Sequence, residues 1–289
     1  MVSDSGMTRV FLFVVLSLLS VLPARAQETP PRPWVIATYA YPQRDRAAAI
    51  QPLADYLGLR ARHPVQLRLF DSPTALVAAL RRGDVDVAVP NLHGYLQARR
   101  AGETLTTLPV PQVPALQADR YRAVLIARQG LEAPGELERQ AKTLRLVLVG
   151  RDSASGGFVP VRELRRRGLE PAKAFGHLAY AGSHAAALEA VVTGGADVAA
   201  LAADVYDTDR PAGVVELWRS EPIPPGPLLC RPAADVPCQQ FAAWLLEAHD
   251  ESPAVMTALR AGWPEFGDAN RFMVPDRQLL DASDLRIEP

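Results

Sequence analysis

The sequence predicts an α/β protein of two similarly built halves, each a mainly parallel sheet flanked by helices, with a ligand cleft between them. Three observations carry this. Short apolar strands alternate with amphipathic helices along most of the chain, the pattern of parallel sheets covered on both faces. One piece of local grammar occurs twice: Ser72, Gly83 and Asp86 recur as Ser183, Gly194 and Asp197, 111 residues further on, with the same spacings of 11 and 14. Each copy reads as a cap, an Ala-rich helix, a glycine turn, an aspartate and then a strand. Both halves also open on a strand followed by a helix, at 34–57 and again at 144–168.

The first residues stand apart from this pattern. Arg9 precedes an apolar run of 13 residues, 10–22, which Pro23 breaks; Ala24-Arg25-Ala26 then places small residues where a signal peptidase reads. Residues 1–26 are expected to be a secretory signal peptide cleaved before Gln27, with Met7 as an alternative start. The apolar run is short of the roughly 20 residues that a spanning helix needs. No cysteine follows the cleavage point to take a lipid, so the mature chain is expected to be a soluble periplasmic protein.

Residues 34–38 read as a buried strand. In 45–60, Ala48, Leu53, Tyr56 and Leu57 recur at helical spacing, and Gly58 is the expected stop. The stretch VQLRLF alternates as a strand does. Ser72 caps the next helix, Pro73 fits its first position and Gly83 ends it, before a strand over 85–89. After residue 213 the chain becomes extended and Pro-rich. An amphipathic helix follows with Phe241, Trp244, Leu245 and Ala248 on one face, then a second helix. This tail has no counterpart in the second half and is expected to return to the first. The expected lobes are 27–118 with 210–289, and 119–209. Cys230 and Cys238 lie eight apart, and an oxidising compartment permits a bridge between them; two unpaired surface thiols are the alternative.

Composition bounds the function. Of 289 residues, 48% are hydrophobic and 22% charged, which is globular. A net charge of -1 lacks the electrostatic footprint of a nucleic-acid binder. The sequence shows no cluster of His and Cys with metal-ligand spacing, and no cofactor is implied.

The chemistry-bearing stretch is LRLVLVGRDSASGGFVP, 144–160. It sits at the carboxyl end of a strand, where ligands of α/β sheets bind. The following helix is expected to start near Ser155, carry Pro160 in its first turn and stop at Gly168. Its first N–H groups have no helical acceptor, and the helix dipole adds partial positive charge there. The hydroxyls of Ser153 and Ser155, with the bare backbone of Gly156 and Gly157, suit a small anion. A phosphate loop would need a Gly-Lys pair, a dinucleotide fold Gly-x-Gly-x-x-Gly, and a nucleophile elbow a glycine two before the serine; all three are missing. A capped strand–helix turn holding nothing remains the alternative.

The stretch RDSASGGFVPVRELRRRGLEP, the later FGHLAYAGSHAAALEAVVTGGADVAAL and the early IQPLADYLGLR together resemble the phosphate/phosphite/phosphonate-binding family of periplasmic solute-binding proteins that serve ABC importers. The resemblance spans roughly 34–280. It implies a two-lobed type II periplasmic-binding-protein fold, no enzymatic activity, a small oxyanion ligand, an ABC permease as partner and a monomer. It implies oxyanion contacts from Ser153 and Ser155, with Ala154 replacing a usual threonine. His184 matches the histidine of the family's Gly-Ser-His, and Tyr41 and Tyr95 fall near tyrosines that close on the ligand; either tyrosine could equally be a packing residue. Many relatives carry an acid that pairs with a ligand amine, where this chain has Ala202, with Asp204 two positions on. Two other outputs stay open: ligand sensing through a membrane kinase, and a secreted serine hydrolase using Ser153 or Ser155 with His184.

Overall fold

The structure, a computed structural model, describes residues 31–100, 105–114, 117 and 120–276. The expected signal peptide lies outside the described residues. Twelve strands are described: β1 (Trp34–Tyr39), β2 (Val65–Phe70), β3 (Val87–Ala88), β4 (Thr106–Thr107), β5 (Val110–Pro111), β6 (Ala123–Arg128), β7 (Arg145–Leu148), β8 (His177–Tyr180), β9 (Val198–Ala202), β10 (Val214–Arg219), β11 (Leu229–Cys230) and β12 (Phe272–Met273). Early in the chain they alternate with helices α1 (Arg46–Ala61), α2 (Pro73–Arg82) and α3 (Leu92–Arg100).

Two five-stranded sheets share one plan. The first runs β2-β1-β3-β11-β4 and the second β8-β7-β9-β6-β10. In each, three strands are parallel, and the fourth, β11 or β6, pairs antiparallel beside them. β6 begins the second half, whereas β11 comes back from beyond it, so the chain crosses between the halves twice. β10 pairs antiparallel with β6. The return to the first half therefore follows Ser220, and the expected boundary at 210 is too early. The physical reason is β6 itself: without β10 its N–H and C=O groups would form an open edge.

The sequence repeat corresponds to a structural device. Ser72 and Ser183 both sit in extended backbone and accept a hydrogen bond from the N–H three residues on. Gly83 and Gly194 end their helices at φ of +82° and +74°, where a side chain would be strained. Asp86 and Asp197 then each take the backbone N–H at the start of an interior strand, Val35 in β1 and Arg145 in β7, both at 2.8 Å. Each aspartate also pairs with an arginine that flanks it, Arg32 or Arg145.

Gly58 does not stop α1. The helix runs on to Ala61 and ends on Arg62, which adopts the left-handed conformation. Gly58 is small for another reason: a Cβ there would lie 2.8 Å from Val65 Cγ2 on β2. The expected strand over 85–89 shortens to β3. The tail does return to the first sheet, burying Phe241, Leu245, Leu259 and Trp263 against Ile36, Ile50 and Leu53. Cys230, on β11, is bonded to Cys238, which opens the helix Cys238–Glu251, with Cα atoms 5.8 Å apart. One apolar cluster crosses between the halves, placing Ala123 and Ala154 beside Leu76, Leu80 and Leu92.

Candidate functional site

A cavity of about 500 Å³ lies where the carboxyl ends of β1 and β7 face each other. The wall from the second half is the turn that follows β7. The chain passes from Gly150 through a wide helical turn, Ala154–Phe158, into the helix Val159–Arg166. Ser153 caps this turn, its Oγ accepting from the N–H of Gly156 at 3.1 Å. The wide turn is closed by the bond from Phe158 N–H to the Ser153 carbonyl and by that from Val159 N–H to the Ala154 carbonyl. The N–H groups of Ala154 and Ser155 therefore precede the first bond of the helix and cannot be satisfied within it.

The turn itself requires both glycines. A Cβ on Gly157 would fall 2.0 Å from the Gly150 carbonyl oxygen, and one on Gly156 would fall 2.3 Å from Val149 Cγ2. Both residues are buried. Ser155 is likewise turned inward. It is fully buried, and its Oγ lies 3.0 Å from the Tyr121 hydroxyl, so Tyr121 and not Ser155 reaches the cavity wall.

His184, the first residue of the helix His184–Val192, enters the same cavity. Its Nδ1 accepts from the backbone N–H of Ala202 at 3.0 Å. An N–H can only donate, so Nδ1 is bare and the ring proton sits on Nε2, the opposite side of the ring. Burial pushes the imidazole down to about 4, which keeps it neutral near pH 7. His184 is thus a fixed, uncharged donor.

The wall from the first half is built differently. Tyr41 comes from the turn after β1. Burial raises its hydroxyl above the ordinary value, while the backbone of His184 across the cavity offers it a hydrogen bond that opposes this. Arg46, at the start of α1, is 6% exposed. Its guanidinium lies over the rings of Tyr39, Trp263 and Tyr41 at 4.0, 4.7 and 5.1 Å, and its Nε donates to the Gly262 carbonyl. Glu265 is also buried on this wall; desolvation raises its carboxyl, and Arg46 and Arg44 oppose that. Asn91 ties the halves together by donating to the Asp152 carbonyl at 2.8 Å.

Residues 36–270 match a family described as ABC transporter, phosphonate, periplasmic substrate-binding protein. The chain belongs to this phosphonate-binding family. No individual curated protein matches the sequence. Among solved structures, a binding-protein component of an ABC phosphonate transporter from Pseudomonas aeruginosa is similar, with a TM-score of 0.65 and 19% identity over 88% of this chain and 85% of that one. XAC2383 from Xanthomonas citri bound to ATP gives a TM-score of 0.68 at 21% identity, over 86% and 94%. PhnD1 from Prochlorococcus marinus in complex with methylphosphonate gives 0.65 at 17%, over 88% and 97%. The shared fold is the type II periplasmic-binding-protein fold, here in its two sheets flanked by helices.

Within this family member, the structure brings Ser153, His184 and Tyr41 to one cavity and leaves Asp204 exposed at its rim, in the first turn of the helix Ala203–Asp209. Ser155, Gly156 and Gly157 support that cavity from behind. Tyr95 does not reach it: α3 turns the ring into the core against Leu76, Leu80 and Leu96, and it is 4% exposed. The expected site lacked Arg46, Tyr39, Tyr121 and Glu265. Arg46 carried one signal in the sequence, a cation in the first turn of a helix, where the dipole favours an acid. Neither serine faces His184 as a nucleophile would. Ser153 serves Gly156, Ser155 serves Tyr121, and His184 Nδ1 is taken by Ala202, so the described residues offer a hydrolase no serine–histidine pair.

Proposed function

We propose that this protein is a periplasmic receptor that captures a small oxyanion, phosphate, phosphite or a phosphonate, in the cleft between its lobes and presents it to an ABC permease. It works as an exported monomer, its leader removed after Ala26. One observation carries the reading: the second-half wall offers hydrogen-bond donors and, among the described residues, no serine–histidine pair. Ser153, Ala154 and His184 line that wall, the turn leaves the N–H groups of Ala154 and Ser155 without a helical acceptor, and Ser153 and Ala202 hold the turn and the ring in place. Donors held in place before the ligand arrives lose little entropy on binding, and a helix start adds partial positive charge. Methylphosphonate in PhnD1 and ATP in XAC2383 are anions carrying oxygen-rich phosphorus groups, in line with this chemistry.

The loop departs from the family's pattern at Ala154, so one side-chain hydroxyl is replaced by a methyl that is buried between the halves. Tyr41 and Arg46 approach from the other lobe, so ligand contacts on both walls favour the closed arrangement over an open one. Titration calorimetry on refolded, ligand-stripped protein against phosphate, phosphite and methylphosphonate tests the proposal. Binding of at least one is expected, with His184→Ala weakening it about tenfold or more, the loss of one hydrogen bond to an anion. No heat and no thermal shift with any of the three would remove the receptor reading.

A further inference from the structure

The donors described above carry no formal charge, although Arg151, Asp152 and Asp204 line the same side of the cavity. The hydroxyl, the backbone N–H groups and the neutral imidazole are dipoles. Arg44 and Arg151 also line the cavity, but both are exposed to solvent. Arg46 is different. It is nine-tenths buried, it lines the cavity, and its Nη1 has no hydrogen-bond partner. Its Nε is satisfied by Gly262, and its plane is held by the three rings of Tyr39, Tyr41 and Trp263. A guanidinium held in this way is rigid, desolvated and one donor short. At the first position of α1 the helix dipole opposes a cation, so these contacts hold Arg46 there against the dipole.

Size points the same way. A cavity of about 500 Å³ has room for on the order of fifteen waters at ~30 Å³ each, far more than the five heavy atoms of methylphosphonate occupy. Arg46 and His184 also stand apart. The Tyr41 ring is near both, its centre 5.1 Å from the guanidinium and 6.5 Å from the imidazole.

We propose that Arg46 forms a second anion subsite, so that the ligand is a two-headed acid: a phosphonate or like oxyanion on the His184 wall, joined by a short carbon chain to a carboxylate on Arg46. The inference rests on the receptor reading and narrows it. The absence of an acid at Ala202 fits, since a ligand ammonium is not what this wall is built for. Glu265 lies on the Arg46 wall, where desolvation raises its carboxyl and Arg46 and Arg44 oppose that.

Calorimetry with phosphonoacetate, 3-phosphonopropionate, methylphosphonate and 2-aminoethylphosphonate on the unmodified protein tests this without any variant. One of the two phosphonocarboxylates is expected to bind roughly 10- to 100-fold more tightly than methylphosphonate, the gain of one charge-assisted contact. Arg46→Met is expected to bring the affinity ratio of that phosphonocarboxylate to methylphosphonate close to one, whereas Arg46→Lys retains part of the preference. Equal affinity for methylphosphonate and both phosphonocarboxylates overturns the second subsite while the receptor reading stands. A preference for 2-aminoethylphosphonate, or an equal loss of methylphosphonate binding in Arg46→Met, overturns it too. Failure of every oxyanion to bind removes the receptor reading first.

Discussion

Gly157→Ala is the most direct test of how the donor wall is built. The added Cβ would sit 2.0 Å from the Gly150 carbonyl oxygen, which is backbone and cannot rotate away. An ordinary carbon–oxygen contact is more than an ångström longer, so either the 154–158 turn or the end of β7 must move by about that much. Overpacking of this kind costs typically ~1–3 kcal/mol. For a chain of this size that is a fall of roughly 2–12 °C in Tm. Gly150→Ala is the matched control. It lies seven residues earlier in the same loop, its φ is not in the left-handed region, and a Cβ there meets nothing within 4 Å. Its expected effect is within about 0.5 kcal/mol, or slightly stabilising through the unfolded chain. Thermal unfolding by circular dichroism reads both, and calorimetry with the tightest oxyanion reads the consequence for the wall. Gly157→Ala should weaken binding as well as stability, because the N–H groups move with the turn. If the two variants melt together at the wild-type temperature, the turn does not pack on β7 as described, and the account of the donor wall fails with it.

Other consequences follow from the same geometry. His184 titrates at about 4 in the folded chain against an ordinary 6.5, so between these values the unfolded state binds more protons. Stability should be full above pH 6.5 and fall by at most ~3 kcal/mol as pH drops to 4. Chemical denaturation of His184→Asn should show a flatter profile in that window, and identical profiles would contradict the burial of the ring. Asp197 is pulled down to about 2 by Arg145, with Arg128 also contributing, so its contribution is lost only below the ordinary 3.8 and does not confuse the comparison. Ser155→Ala should leave the Tyr121 hydroxyl buried without its partner, at about 1–3 kcal/mol in denaturant titrations; an unchanged midpoint would mean that the pair carries nothing. Reducing the Cys230–Cys238 bond opens a loop of sequence separation 8, worth about 2–3 kcal/mol by loop entropy, and should lower Tm by several degrees in dithiothreitol. A double Cys→Ser variant that melts unchanged would refute this.

Local chemistry made much of the fold legible. Ser72 and Ser183 cap helices, Gly83 and Gly194 end them, and Asp86 and Asp197 anchor interior strands, because each of these jobs is done within a few residues or by a residue type with few alternatives. The repeat at 111 residues was readable for the same reason. Where a local rule met a tertiary demand, the rule lost. Gly58 reads as a helix stop, yet it stays inside α1 because Val65 needs the space of its missing side chain. β10 reads as part of the returning tail, yet it pairs with β6 because that edge would otherwise stay open.

The sequence by itself determined that this is a two-part α/β chain with an anion-suited turn after Gly150, since periodicity, caps and glycine positions are local properties. Only the tertiary structure decided which side chains face the cavity. Ser155 and Tyr95 turned inward, because the register of a wide helical turn and the packed face of α3 aim them at the core. Arg46 became a cavity residue through contacts with Gly262 and Trp263, more than two hundred positions away, which fold back only after the chain has crossed between the halves twice. A side chain's direction is fixed by what packs against it, and for this cavity most of what packs is distant in sequence.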